Sequence, residues 1–283
     1  MKNDKDTIIL AEGLAFPEAP RWHDGALWFS DFYTHTVHRL DSDGTLASVA
    51  EVPGQPSGLG WLPDGRLLVV SMMDRRVLRL EADGLVTHAA LDNLVASPCN
   101  DMVVDTHGRA YVGNFGFDMF KRETPRPTVL IMVTPDGDAR VVADDLLFPN
   151  GCVITPDGGT LIVAETFGKR LTAFDVEPDG TLSRRRVWAD LGDASPDGIC
   201  LDDAGAVWVA SPTTNEFLRV NEGGTVSERI TTHGQAIACA LGGLEHHTLY
   251  MVTGKVSKGT RALAERNGRI LARNVAVGGA GLP

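Results

Sequence analysis

The chain has 283 residues, of which 43% are hydrophobic and 22% charged, ample for a sizeable core. Its formal net charge of −11 leaves no basic stripe to hold phosphates, which argues against nucleic acid as a partner. No run approaches the roughly 20 apolar residues that span a bilayer, so no membrane partner is expected.

The opening MKNDKDTIIL carries charges but no apolar segment of the secretory kind, and a cytoplasmic protein is expected. The four cysteines, Cys99, Cys152, Cys200 and Cys239, never form CxxC pairs. They read as small buried side chains in a reducing compartment, not as metal ligands.

From residue 23 onward one element returns six times: a turn with Gly, then an apolar strand ending in a small or polar residue. The copies are HDGALWFSD (23–31), PDGRLLVVS (63–71), THGRAYVGN (106–114), PDGGTLIVAE (156–165), DAGAVWVAS (203–211) and LEHHTLYMVT (244–253). Equivalent positions are 40, 43, 51, 46 and 42 residues apart. Each copy is preceded by a run opening on Pro or a polar residue and followed by two further strands. Four strands per repeat, six times, predict a six-bladed β-propeller forming one domain over residues 1–283. The run TIILAEGL (7–14) stands where RVVADDLL stands in the fourth-strand register. It is expected to supply the outer strand of the last blade, leaving no open edge. The one short helix candidate lies near RALAERNG (261–268).

In a propeller the first strand of each blade lines the central channel. In register at the starts of those strands are Glu18, Ser57, Asn100, Asn150, Asp197 and Gln235 or Ala236. A lone Asn or Asp beside Pro and Gly is ordinary turn chemistry. Four oxygen donors in one register, with Glu18 among them, instead call for a positive centre. All-oxygen ligation suits one divalent cation, Ca²⁺ foremost, with Mn²⁺, Mg²⁺ or Zn²⁺ as alternatives.

FPEAPRW, CNDMVVD…GRAYVGN, FPNGCVITPDG…LIVAET and PDGICLDDAGAVWVAS resemble, in that order, the SMP-30/gluconolactonase/luciferin-regenerating-enzyme family over essentially the whole chain. The resemblance implies a propeller with one catalytic divalent metal that hydrolyses lactones or related esters. It implies metal ligands at Glu18, Asn150 and Asp197, and contact with substrate and water at Asn100. The sugar-lactone members carry an arginine two residues before the position matched by Asn100, where this chain has Pro98. A less polar substrate is therefore expected.

Within that reading Asp197 is the general base and Asn100 orients water or the ring oxygen. Asp101, next in the chain, is expected to point to the opposite strand face and pack within its blade. Asn114, Phe115, Phe117, Met72, Phe148 and Thr166 are expected around the substrate, with the apolar ones forming a pocket rim. The alternatives are phosphoester or organophosphate hydrolysis, or another reaction of an activated ester, on the same metal, and a non-enzymatic propeller with a structural cation.

Overall fold

Each repeat folds as a four-stranded antiparallel sheet, and the described residues form six of them. The computed structural model describes residues 7–119, 121–257 and 259–280. The first blade shows the common plan: Pro17–His23, Ala26–Asp31, Thr36–Leu40 and Leu46–Glu51 pair in sequence order. Blades 2 to 5 open on Pro56–Trp61, Cys99–Val104, Pro149–Ile154 and Ile199–Leu201. Blade 6 takes three strands from the end of the chain, Gln235–Gly242, Thr248–Gly254 and Gly268–Asn274, and its fourth from Thr7–Leu14. That N-terminal strand pairs antiparallel with Gly268–Asn274, from Thr7 opposite Arg273 to Leu14 opposite Gly268.

Local chemistry accounts for the repeat. At the PDG turn of blade 2, Gly65 takes φ +85°, which a residue with a side chain rarely adopts, while Asp64 Oδ1 accepts from Arg66 N at 3.1 Å. The first and second strands are buried on both faces, Cys99–Val104 and Leu67–Ser71 along their whole lengths. The outermost strands are half-exposed, and Thr7–Leu14 and Ala139–Leu146 share one burial pattern, as their equivalent places require. A short helix, Gly259–Glu265, fills the second-to-third connection of blade 6 and buries Ala262. Among the described residues no helix is long and apolar enough to cross a membrane.

The six first strands form a closed ring, each packing against the first strand of the next blade and the sixth against the first. Glycine permits this approach. A Cβ on Gly151 would lie 2.7 Å from Asp197 O, and one on Gly198 would lie 2.4 Å from Ala238 Cβ. The Pro-x-Gly signature is thus a packing requirement between neighbouring blades.

Candidate active site

The first strands share a second irregularity. In blade 1, Glu18 faces Ser30 and Arg21 faces Trp28, three residues against two. The same one-residue bulge separates Pro56 from Leu59, Cys99 from Met102, and Pro149 from Cys152. Blade 5 begins its ladder only at Ile199, beyond Asp197. A bulge re-aims side chains and releases the strand from strict alternation. It occurs at the channel end where the polar residues stand, and Ala19 inside the first bulge has φ +48°.

Glu18, Ser57, Asn100, Asn150 and Asp197 are all buried there. Asn150 Nδ2 donates to Asp197 Oδ1 at 2.6 Å and to Thr166 Oγ1 at 3.1 Å. The Thr166 hydroxyl donates in turn to Pro196 O at 2.7 Å, tying blade 4 to the strand entry of blade 5. Ser57 Oγ donates to Asn100 Oδ1 at 3.4 Å. Glu18 Oε2 accepts from Ala19 N at 2.8 Å.

Asp101 departs from its expected place. Strict alternation would turn it away from the channel, but the bulge between Cys99 and Met102 breaks the period. Its carboxylate instead accepts from Arg21 Nη2 at 2.6 Å, with both side chains buried, and its charge reaches Glu18 and Asp197. Arg21 Nη2 also donates to Met102 O at 2.7 Å, and Nη1 to Pro20 O at 2.9 Å. Sequence reasoning passed over Arg21. The signal was available: at its bulge position the next three blades carry Leu59, Met102 and Cys152, all uncharged.

Burial is the main cause of unusual acidity in this ring. It pushes the Asp197 carboxyl up to about 8; the Asn150 amide opposes the shift and the Asp101 charge adds to it. Glu18 is raised well above its ordinary value by burial, then by the charges of Asp197 and Asp101. The Ala19 N–H and the Arg21 charge pull it partly back. Among the described residues no group of three or more His, Cys, Asp or Glu is placed to hold a metal ion. The expected set has two carboxylates and amides, and its chemistry fits a hard cation. Two buried acids raise one another's affinity for positive charge, and Asn150, with its Nδ2 engaged, keeps Oδ1 as a donor.

The flanking residues divide. Phe148, at φ +61° just before Pro149, packs against Phe115 at 4.6 Å, Phe117 at 5.9 Å and Phe167 at 5.5 Å between ring centroids. Phe115, Phe117 and Phe148 are buried, whereas Phe167 is 45% exposed and carries the cluster to the surface. Met72 is buried in the core while Met73 beside it is 46% exposed. Asn114 is buried with its amide spent on the protein. Oδ1 accepts from Ser97 Oγ at 2.9 Å, Gly116 N at 3.1 Å and Thr128 Oγ1 at 2.6 Å, and Nδ2 donates to Val129 O at 2.7 Å. Asp31 and Glu165 hold the same place in their blades and likewise bind loop amides, of Ala15, Phe16 and Leu147.

All four cysteines are free and buried, and Cys200 and Cys239 meet across blades 5 and 6 with sulfurs 3.6 Å apart. A cleft of about 930 Å³ between blades 6 and 1, lined by Trp22, Leu40, Asp43 and Tyr250, shares no residue with the ring. At the far mouth of the channel, Arg21, Trp22, His23 and Trp61 line a cavity of about 250 Å³.

The described residues thus form a six-bladed propeller with a buried ring of oxygen donors at one end of its axis. Residues 16–255 match the SMP-30/Gluconolactonase/LRE-like region, and the chain belongs to that family. It is 25% identical to a 6-deoxy-6-sulfogluconolactonase of Pseudomonas putida over 99% of this chain and 98% of that protein. A luciferin-regenerating enzyme shares the fold with a TM-score of 0.83, 17% identity and 96% coverage of both chains. A calcium-binding regucalcin from Agrobacterium tumefaciens does so with a TM-score of 0.81, 21% identity, and coverage of 97% of this chain and 95% of that one.

Proposed function

We propose that the chain is a divalent-cation-dependent lactonase, opening a lactone or related carboxylic ester less polar than a sugar lactone. The observation that supports this reading is the burial of Glu18, Asn100, Asn150 and Asp197 at the entrances of their blades, with Asn150 bonded to Asp197 and the Asp197 charge reaching Glu18. The kinship with a sulfogluconolactonase favours lactone hydrolysis, and the calcium-binding neighbour favours Ca²⁺.

Glu18, Asn150 and Asp197 would hold the cation. When bound, it supplies Lewis acidity for the ester carbonyl and lowers the pKa of water. The remaining work falls to the side chains. Asn150 fixes Asp197 through Oδ1, leaving Oδ2 to take a proton from the attacking water. The Ser57 hydroxyl occupies Asn100 Oδ1, so the Asn100 NH₂ group is left to donate to the carbonyl or ring oxygen as charge builds there. Thr166 braces Asn150. Burial excludes bulk water and strengthens each of these interactions.

Substrate polarity follows from Pro98 and the aromatic cluster. Pro98 brings no guanidinium to the ring, its carbonyl accepting from Phe115 N at 3.0 Å. Phe167 offers apolar surface, backed by the buried rings of Phe117 and Phe148. The test is a panel of γ- and δ-lactones, alkyl-substituted and polyhydroxylated, assayed with and without EDTA. Turnover of alkyl lactones that EDTA abolishes and Ca²⁺ restores supports the proposal. No ester hydrolysis in any metal-loaded state overturns it.

A further inference from the structure

Most buried acids of this protein are answered away from the axis. Asp105 is paired with Arg109 at 2.6 Å, Asp202 with Arg219 at 2.7 Å and Glu165 with Arg170 at 2.9 Å. Asp31 is held by the N–H groups of Ala15 and Phe16. Within the channel the account is different. The charges of Asp197 and Asp101 reach Glu18, that of Asp101 reaches Asp197, and Arg21 is a cation that acts on Glu18 and Asp101.

The position of Arg21 is central. It starts from blade 1, bonds Asp101 and Met102 of blade 3, and its charge is felt at Cys152 of blade 4 and Cys200 of blade 5. On its other side it forms part of the wall of the far-mouth cavity. The guanidinium therefore lies across the axis as the floor of the acidic ring. With all three carboxylates ionised, as holding a cation requires, three of them against one guanidinium leave a net charge of −2.

We propose that Arg21 is a specificity-determining residue: a resident counter-charge that sets the ring at −2 and so selects a divalent over a trivalent cation. The inference rests on the cation site proposed above. It concerns charge balance, because Asp101, drawn to Arg21, is withheld from the donor set. A change of one unit of charge at this depth and range is worth at least a factor of about ten in relative affinity.

The experiment measures Ca²⁺ and Tb³⁺ binding by titration calorimetry, with melting temperatures of the metal-free proteins alongside. Relative to the parent, Arg21→Met should raise the Tb³⁺ to Ca²⁺ affinity ratio about tenfold or more, and Asp101→Asn should lower it. The double variant should return within about threefold of the parent. Metal-free Arg21→Met should melt below the parent, and adding Asp101→Asn should recover most of that loss. If Arg21→Met does not fold, Asp101→Asn still gives the shift of opposite sign. An unchanged ratio in both single variants overturns the proposal. So does a double variant that recovers neither ratio nor melting temperature. If the parent binds neither ion, the metal reading and the selectivity fall together. The melting temperatures then report separately whether Arg21 balances Asp101.

Discussion

Asn150 Nδ2 lies 2.6 Å from Asp197 Oδ1, and the two residues come from the entrances of adjacent blades, 47 positions apart. The contact is maintained by backbone as well as side chain, since Gly151 N donates to Asp197 O at 3.2 Å. An amide that holds a buried carboxylate by one oxygen leaves the other free for chemistry. The rest of the ring can be tested around that pair.

Replacing Asp197 by Asn should separate activity from stability. The variant removes the proposed base, and lactone turnover is expected to fall by about 10³-fold or more. It also replaces a buried acid, whose ionisation burial opposes, by a neutral amide of the same shape, so its melting temperature without metal should equal or exceed the parent's. Lactone assay and calorimetric melting of the same preparation check both halves. Full activity would place the base elsewhere.

Metal removal should destabilise the parent more than Glu18→Gln. A ligand at a hundred times its dissociation constant stabilises by about 2.7 kcal/mol, or roughly 5 to 10 °C in a protein of this size. The parent should show that rise on adding Ca²⁺ to EDTA-treated protein, and Glu18→Gln should show less than half of it.

Acid should act through Glu165, which takes no part in the proposed chemistry although it pairs with Pro149 beside the ring. Burial alone would raise its carboxyl, but hydrogen bonds from Arg170, Thr172 and the Leu147 N–H, with the Arg170 charge, hold it below its ordinary value. A lowered carboxylate contributes stability that is present above its unfolded pKa of about 4.3 and lost as pH falls through the folded value. Glu165→Gln should therefore lose about 3 kcal/mol at neutral pH, and the difference from the parent should shrink below pH 4. Urea unfolding at several pH values reads this directly.

Gly151→Val should damage fold and site together. Its side chain would enter space held by Asp197 O, 2.7 Å from the first added carbon. A loss of at least about 2 kcal/mol and a fall in kcat are expected, from overpacking and the displaced Asp197.

The ring and its closing strand were legible because both follow from repetition. The Gly-turn strand recurs at a nearly constant interval, and Thr7–Leu14 shares its pattern with Ala139–Leu146. The axial set was legible for the same reason, as one register position in six copies. Asp101 was misplaced because alternation was assumed through a bulge, and a bulge leaves no mark on hydrophobic period. Asn114, at the end of its second strand, was expected as a substrate contact, and its amide is bonded within the protein. Its four partners come from three loop or strand segments that only folding brings together. The meeting of Cys200 with Cys239 depends on the neighbouring of blades 5 and 6, and no spacing rule encodes it.

The pairing of Thr7–Leu14 with Gly268–Asn274 also governs how the molecule is born. In chain order Thr7–Leu14 comes before all five blades that precede its partner, Gly268–Asn274, so it is made well ahead of that partner. Five blades must wait as an open arc, with the inner edges of the first and fifth awaiting the sixth. Nascent chains grow at about 5 to 20 residues per second, so this vulnerable interval lasts on the order of ten seconds or more. Glu18 of blade 1 and Asp197 of blade 5 are brought within reach of one another's charge across the place that blade 6 fills.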